Sequence, residues 1–225
     1  MIIVSGASSG LGLDICQRLL GMGQNVIGLA RDVSNLDFEA YSCNVASYDE
    51  IKEVSKKIKK KYGSVTTLIN AAGVASMNLA LMTPPKKTQE LIQTNLIGTI
   101  YSCQVFGPLL IKNKGGSIIN FSTIAVQIGL PGESVYVASK AGVEGFSRAF
   151  AREMSDFGVR VNCIAPGPIN TKLIKGVEGQ LIEDVISRQI LKKQFECSDV
   201  SDVVEMLIDK KAQTLSGQVI YVGGV

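Results

Sequence analysis

Six short apolar runs punctuate the chain: residues 1–4, 24–30, 65–69, 117–121, 159–164 and 218–222. Each is bounded by glycine or polar turn residues and is too short for a helix, which marks it as a strand buried on both faces. Tyr41–Val45 is a weaker seventh run. Between the runs the apolar positions change period. Leu13, Ile15, Cys16, Leu19 and Leu20 recur at helical spacing, and so do Ile51, Val54 and Ile58. Ser47 with Glu50 three residues on is a capping-box signal for a helix ending near Tyr62. Further helical patterns run from about Pro85 to Lys112, from about Val135 to Ser155, and from Val200 to Ile208. Residues 32–39 show little helical pattern, so the crossover after the second strand is reduced to a turn or so of helix. Strands alternating with helices predict an α/β fold, a doubly wound parallel sheet of about seven strands with helices on both faces, in one domain over residues 1–225. Leu181, Ile182, Val185 and Ile186 give the segment 172–195 one apolar face, and it is read as a lid over the site.

The first strand runs without a gap into Ser5-Gly6-Ala7-Ser8-Ser9-Gly10-Leu11-Gly12, and a helix follows. A strand, a glycine turn and a helix in this order let a pyrophosphate approach the free amides at the helix N-terminus. The spacing G-x-x-x-G-x-G directly after the first strand therefore points to nucleotide binding. In such folds the residue ending the second strand meets the adenosine ribose, and an acid there binds its 2′-hydroxyl. Ala30 occupies that place and Arg31 comes next. A guanidinium matches phosphate geometry, so Arg31 favours NADP(H). Asp32 is the ribose acid instead if the strand is one or two residues longer, which keeps NAD(H) open.

Composition narrows the function without naming it. The chain has 225 residues, 46% hydrophobic, with 23 glycines and a net charge of +3, too small to imply a nucleic-acid partner. The basic run Lys56–Lys61 lies on a helix with one buried stripe and reads as a solvated face. Five cysteines with no C-x-x-C spacing suit a reducing cytoplasm. The sequence contains no histidine, which removes histidine-based triads and argues against a zinc site. No apolar run is long enough to cross a bilayer.

The candidate chemistry lies between Gly115 and Lys140. An apolar strand gives way to a loop with Gly129, Pro131 and Gly132, and then to a helix on which Tyr136 and Lys140 stand four apart and share a face. A free tyrosine titrates near ~10, too high to exchange protons at neutral pH. A nearby ammonium favours the phenolate and lowers that value, so such a tyrosine can pass a proton to or from a substrate oxygen. On its own the Y-x-x-x-K spacing equally describes an amphipathic helix with a half-buried tyrosine and a solvated lysine.

Taken in order, the glycine turn, Asn70-Ala71-Ala72-Gly73, Asn95, Ser122-Thr123, Tyr136 with Lys140, and Pro166-Gly167 with Thr171 resemble the short-chain dehydrogenase/reductase family over nearly the whole chain. The resemblance implies a Rossmann-type fold and an oxidoreductase interconverting a ketone and a secondary alcohol. It implies that Gly6, Ser8, Ser9, Gly10, Leu11 and Gly12 wrap the pyrophosphate and ribose, that Asn44 and Val45 face the adenine, and that Asn70, Ala71, Ala72 and Gly73 line the cleft. Tyr136 becomes the proton donor in reduction, and Lys140 holds the nicotinamide ribose and depresses the tyrosine pKa. Asn95 fixes a bend in its helix and a water in the proton relay. Pro166, Gly167, Ile169 and Thr171 border the nicotinamide, the last two at its carboxamide. Counting back from Tyr136, the substrate-orienting serine of the family falls on Thr123 rather than Ser122. Asn44 replaces an aspartate at the adenine, and Tyr221-Val222-Gly223-Gly224-Val225 lacks the aspartate that usually precedes the glycines.

A 3-oxoacyl-carrier-protein reductase is one specific form of this reading. Docking of an acidic carrier would use Lys114, while Asp156-Phe157 stands where a second basic group would help. A reductase of sugar or surface-polysaccharide biosynthesis is an alternative. A nucleotide-binding regulator that kept the fold and lost catalysis is a rival of another class, favoured by Thr123 and Asn44. The resemblance also implies a homodimer or homotetramer built on the helices near 85–112 and 136–155.

Overall fold

The computed structural model describes residues 1–171 and 179–225. Its elements are β1 (Ile2–Ser5), α1 (Gly10–Gly21), β2 (Val26–Ala30), β3 (Ala40–Ser42), α2 (Tyr48–Tyr62), β4 (Thr67–Asn70), α3 (Pro85–Leu91), α4 (Gly98–Lys112), β5 (Gly116–Phe121), α5 (Ala125–Ile128), α6 (Ser134–Met154), β6 (Val159–Pro166), α7 (Gly179–Arg188), α8 (Cys197–Ile208) and β7 (Val219–Val222). The strands form one sheet in the order β3-β2-β1-β4-β5-β6-β7, and every pairing is parallel. The order reverses between β1 and β4, which opens a crevice at the carboxyl ends of those strands.

Alternation along the strands divides the core into two layers. Ile3, Ile27, Leu68 and Ile118 pack with Ile51, Val54 and Ile58 of α2, Phe106 and Leu110 of α4, and Met154 of α6. Ile2, Val4, Ile69, Ile119 and Ile164 pack on the opposite face with Ile15 and Leu19 of α1 and Val200, Val204 and Leu207 of α8. Burial on both faces is what makes these strands near-continuous apolar runs.

Three features differ from the sequence reading. First, the capping box at α2 is half made: Ser47 Oγ accepts Glu50 N–H at 3.4 Å, while the Glu50 carboxylate turns to Asn44 N–H at 2.8 Å. Second, the expected helix over 85–112 contains a π-helical stretch, Ile92–Ile97, between α3 and α4. Third, the chain between β2 and β3 has no helical turn at all. Leu36 and Phe38 pack against the core in its place. The lid segment contains helix α7, as its apolar face implies, and residues 172–178 of that segment lie outside the described residues.

The missing crossover helix leaves a testable signature at Gly28 of β2. A Cβ there would stand 2.8 Å from Ala7 Cβ and 2.9 Å from Phe38 Cε2, so the phenyl ring occupies the space a side chain would need. Gly28→Ala is expected to lower stability by about 1–3 kcal/mol through overpacking, read as a lower urea midpoint with an unchanged m-value.

Candidate active site

The first half of the site is the turn between β1 and α1. Gly6 adopts φ 74°, and a Cβ on it would lie 2.8 Å from the Ala72 backbone. A Cβ on Gly12 would lie 2.2 Å from the Gly6 carbonyl oxygen. Both positions therefore require glycine, and the turn packs directly on the Ala71-Ala72 backbone after β4. Ala72 N–H also donates to Ser5 Oγ at 3.2 Å. Ser9 N-caps α1 without a side-chain cap, and no acidic residue stands in its first turn. The amides at this helix start are thus open to an anion, and the residues present fit a pyrophosphate. Thr171 lies over the turn, its Cβ and Cγ2 each 3.5 Å from the Cβ position of Gly10.

Ser8 and Ser9 are exposed and line a cavity of about 450 Å³ with Gln17, Asp32, Asn35 and Asp37. Arg31, next to Asp32 in the chain, is exposed. Asp32 Oδ1 accepts Ser34 N–H at 2.9 Å and Ser34 Oγ at 2.7 Å, closing a turn of its own. Asn44 behaves similarly: its Oδ1 accepts Ala46 N–H at 3.1 Å, so the expected acceptor for an adenine is engaged by its own backbone. Val45 is buried against α4, with Cγ2 3.0 Å from the Cβ position of Gly98. The Asn70 side chain is also turned away from the crevice. Its Nδ2 donates to Asn120 Oδ1 at 2.8 Å and to Cys103 Sγ at 3.4 Å inside the core.

The second half gathers at the carboxyl end of β5. Helix α6 presents Tyr136, Lys140 and Glu144 as buried residues at successive four-residue intervals. Lys140 Nζ donates to the Phe121 carbonyl at 2.9 Å and lies 6.0 Å from the centroid of the Tyr136 ring. It is also 3.5 Å from the Cβ position of Gly73, which a side chain would fill. Thr123 Oγ1 accepts Ala125 N–H at 3.2 Å and stands near enough to Tyr136 to ease ionisation of its phenol, whereas Ser122 Oγ donates to Glu144 Oε1 at 2.7 Å. Of the two hydroxyl residues, Thr123 is therefore the one beside the tyrosine.

Asn95 is fully buried in the π-helical stretch. Its Oδ1 accepts Val74 N–H at 2.8 Å, and its Nδ2 donates to the Val74 carbonyl at 2.9 Å and to Ser139 Oγ at 3.0 Å. It thereby fastens the loop after Gly73 to the helix that carries Tyr136. Pro166 ends β6 and accepts Ile124 N–H at 3.1 Å, just beyond Thr123. Ile169 is buried and bridges to Phe195. Gln189, absent from the sequence reading, is buried with its Oε1 in the space a Cβ on Gly167 would need, 1.9 Å from that position. Lys114 and Asp156-Phe157 precede β5 and β6, at the amino end of the sheet and away from this crevice. The expectation that they border it is corrected by the direction of the strands.

Burial governs the protonation of the pair. It pushes the Tyr136 phenol up, with Glu133 adding to the rise and the Thr123 hydrogen bond opposing it. It pulls the Lys140 ammonium down to about 8. The expected depression of the tyrosine by its neighbour is thus outweighed here by desolvation. Phe121 takes the direct ammonium hydrogen bond, and the neutral Thr123 side chain is what eases ionisation of the phenol.

Residues 6–224 match the family model described as enoyl-(acyl carrier protein) reductase. The chain is 32% identical to the 3-oxoacyl-[acyl-carrier-protein] reductase FabG of Staphylococcus epidermidis, covering 99% of this chain and 96% of that protein. It is 33% identical to the protein of the same name from Thermotoga maritima, over 99% and 95% of the two chains. Among solved structures, the aldohexose dehydrogenase of Thermoplasma acidophilum superposes with a TM-score of 0.89 at 29% identity, over 99% of this chain and 92% of that one. Gox2181 superposes with a TM-score of 0.91 at 26% identity, over 98% and 93%.

The lowered lysine carries a stability consequence. An amine at about 8 when folded and near its ordinary 10.5 when unfolded opposes folding in full below pH 8. That penalty fades as the pH rises from 8 towards 10.5. At 1.36 kcal/mol per unit it amounts to roughly 3 kcal/mol. Wild type is expected to gain stability between pH 7.5 and 10, in the ~2–3 kcal/mol range, relative to Lys140→Met. Denaturant midpoints of the two proteins across that window check this.

Proposed function

Because the chain belongs to the short-chain dehydrogenase/reductase family, an oxidoreductase family that uses NAD(H) or NADP(H), we propose that it is an NADP(H)-dependent reductase of a ketone to a secondary alcohol. The observation that carries this reading is the convergence of Thr123, Tyr136, Lys140 and Asn95 at the carboxyl end of β5. The cofactor, when bound, supplies the hydride; the protein holds both partners and manages one proton. Tyr136 keeps its proton at neutral pH, since burial pushes its phenol up, and gives it to the carbonyl oxygen as charge develops there. Thr123 donates its hydroxyl to the same oxygen and orients the substrate. Lys140 holds the nicotinamide ribose, and Asn95 keeps Gly73 and α6 in register around it. The turn of Gly6, Gly10 and Gly12 takes the pyrophosphate. Residues 1–225 act as one catalytic domain, with the segment 172–195 covering the substrate, in a cytoplasmic homodimer or homotetramer.

The choice of NADP(H) rests on Arg31, which is exposed and makes no ion pair among the described residues, while Asp32 is tied to Ser34. A specific observation supports NAD(H) as the second reading: Asp32 and Asp37 both line the adjoining cavity. A 3-oxoacyl thioester is the favoured substrate, because the relatives at 32–33% identity that span the whole chain carry that activity in their names. A sugar is the second, supported by the aldohexose dehydrogenase likeness.

Two measurements test this reading. Tyr136→Phe is expected to lower NADPH oxidation with an acetoacetyl thioester at least ~100-fold while NADPH still binds. Unchanged turnover would remove the tyrosine from the chemistry, and absence of turnover in wild type with binding retained would favour the regulator. Arg31→Ala is expected to weaken NADPH binding by roughly 10–100-fold, with NADH affected by less than about threefold, as the loss of one charge-assisted contact predicts. Tighter NADH than NADPH binding in wild type would assign the ribose to Asp32.

A further inference from the structure

Beyond Tyr136 and Lys140, α6 buries a third polar group on the same face. Glu144 is 2% exposed, two turns past the tyrosine. Its only ion-pair partner among the described residues is Arg148, at 3.8 Å and 56% exposed, which compensates a buried carboxylate poorly. An apolar side chain would fill this position at lower cost, so the carboxylate needs another reason to be there. The nearest contacts provide one. Glu144 Oε1 accepts Ser122 Oγ at 2.7 Å, and Oε2 accepts the Tyr221 hydroxyl at 3.4 Å. Tyr221 in turn accepts Gln127 Nε2 of α5 at 2.7 Å.

Three consecutive residues at the end of β5 therefore meet three successive turns of α6. Thr123 neighbours Tyr136, the Phe121 carbonyl takes Lys140, and Ser122 is held by Glu144. The Ser122 N–H is already committed to the Ile164 carbonyl at 2.8 Å, which leaves its hydroxyl as the group that chooses between the crevice and the helix. We propose that Glu144 is a positioning residue: it draws the Ser122 hydroxyl out of the crevice and locks the end of β5 on α6, so that Thr123 alone faces the substrate oxygen. The Tyr221–Gln127 link extends the lock from β7 to the short helix that follows Thr123. This inference rests on the reading of Tyr136 and Thr123 as the groups that meet the substrate.

The test compares Glu144→Ala, Glu144→Gln, Ser122→Ala and Tyr136→Phe in NADPH oxidation with an acetoacetyl thioester, alongside NADPH binding and melting temperature. Misplacement of the reacting groups is expected to lower kcat of Glu144→Ala by about 10–100-fold, with the Kd for NADPH unchanged. Glutamine still offers a carbonyl oxygen to Ser122, so Glu144→Gln is expected to recover most of that loss. Ser122→Ala removes a single oxygen, folds even if Glu144→Ala does not, and is expected to lose kcat in the same way. Combining it with Glu144→Ala should cost little more, since both break one contact. A kcat within twofold of wild type in Glu144→Ala and Ser122→Ala would overturn the proposal. So would a Glu144→Gln protein as impaired as Glu144→Ala, which would make charge rather than the hydrogen bond the requirement. Loss of NADPH binding in step with activity would reduce Glu144 to a general structural role. Full activity in Tyr136→Phe would instead remove the site reading on which the lock depends.

Discussion

The contact on which the rest of the site depends is the one between Lys140 Nζ and the Phe121 carbonyl at 2.9 Å. Desolvating an ammonium is costly, and a single carbonyl offsets only part of the cost, as the lowered lysine pKa records. The contact joins the carboxyl end of β5, an interior strand of the parallel sheet, to the helix carrying the tyrosine. With that distance fixed, Thr123 and Tyr136 can meet only in one way. The cost falls on global stability, and the return is a set of reacting groups held in place before substrate arrives.

The same economy of backbone appears at the other end of the crevice. Gly6 and Gly12 let the first turn approach Ala72 and itself more closely than any side chain permits. Ser5 Oγ holds the segment after β4 by accepting Ala72 N–H. The glycine turn and the segment ending β4 are therefore one packed unit. Asn95 extends that unit to α6 through Val74 and Ser139. A nucleotide bound along the crevice would touch parts that are already fastened to one another, with few side chains left to rearrange.

Much of this was legible in the sequence because it rests on local rules. Apolar runs located the five central strands, since a strand buried on both faces must be apolar throughout, while the half-exposed edge strand β3 left only a weak run, and four-residue spacing placed Tyr136 and Lys140 on one face. The glycine turn was readable because steric approach leaves no alternative to glycine. What was not legible depends on partners distant in sequence. Asn44 and Asp32 could be named as ligands, but not that Ala46 and Ser34 would occupy their oxygens. The spacing to Tyr136 singled out Thr123 over Ser122, but not what holds Ser122 aside, because the carboxylate that claims it lies 22 residues on. Glu144 itself continued the Tyr136–Lys140 spacing by one more turn, a signal that was present and was not used. Lys114 was misplaced for a different reason: only the strand direction assigns it to the amino end of the sheet.

The protonation of the pair shows why neither residue can be understood from its neighbour alone. Proximity of an ammonium argues for a tyrosine that ionises easily, yet burial acts on both groups and pushes each towards its neutral form. The result at neutral pH is a phenol that retains its proton beside an amine close to its own midpoint. Such a phenol is a poor base and a ready acid once negative charge develops on an oxygen within its reach. Thr123 is the one neighbour that eases ionisation of the phenol, and it is also the residue best placed to share the substrate oxygen. In the proposed reaction, proton delivery and substrate orientation would therefore meet where β5 ends, between Thr123 and Tyr136.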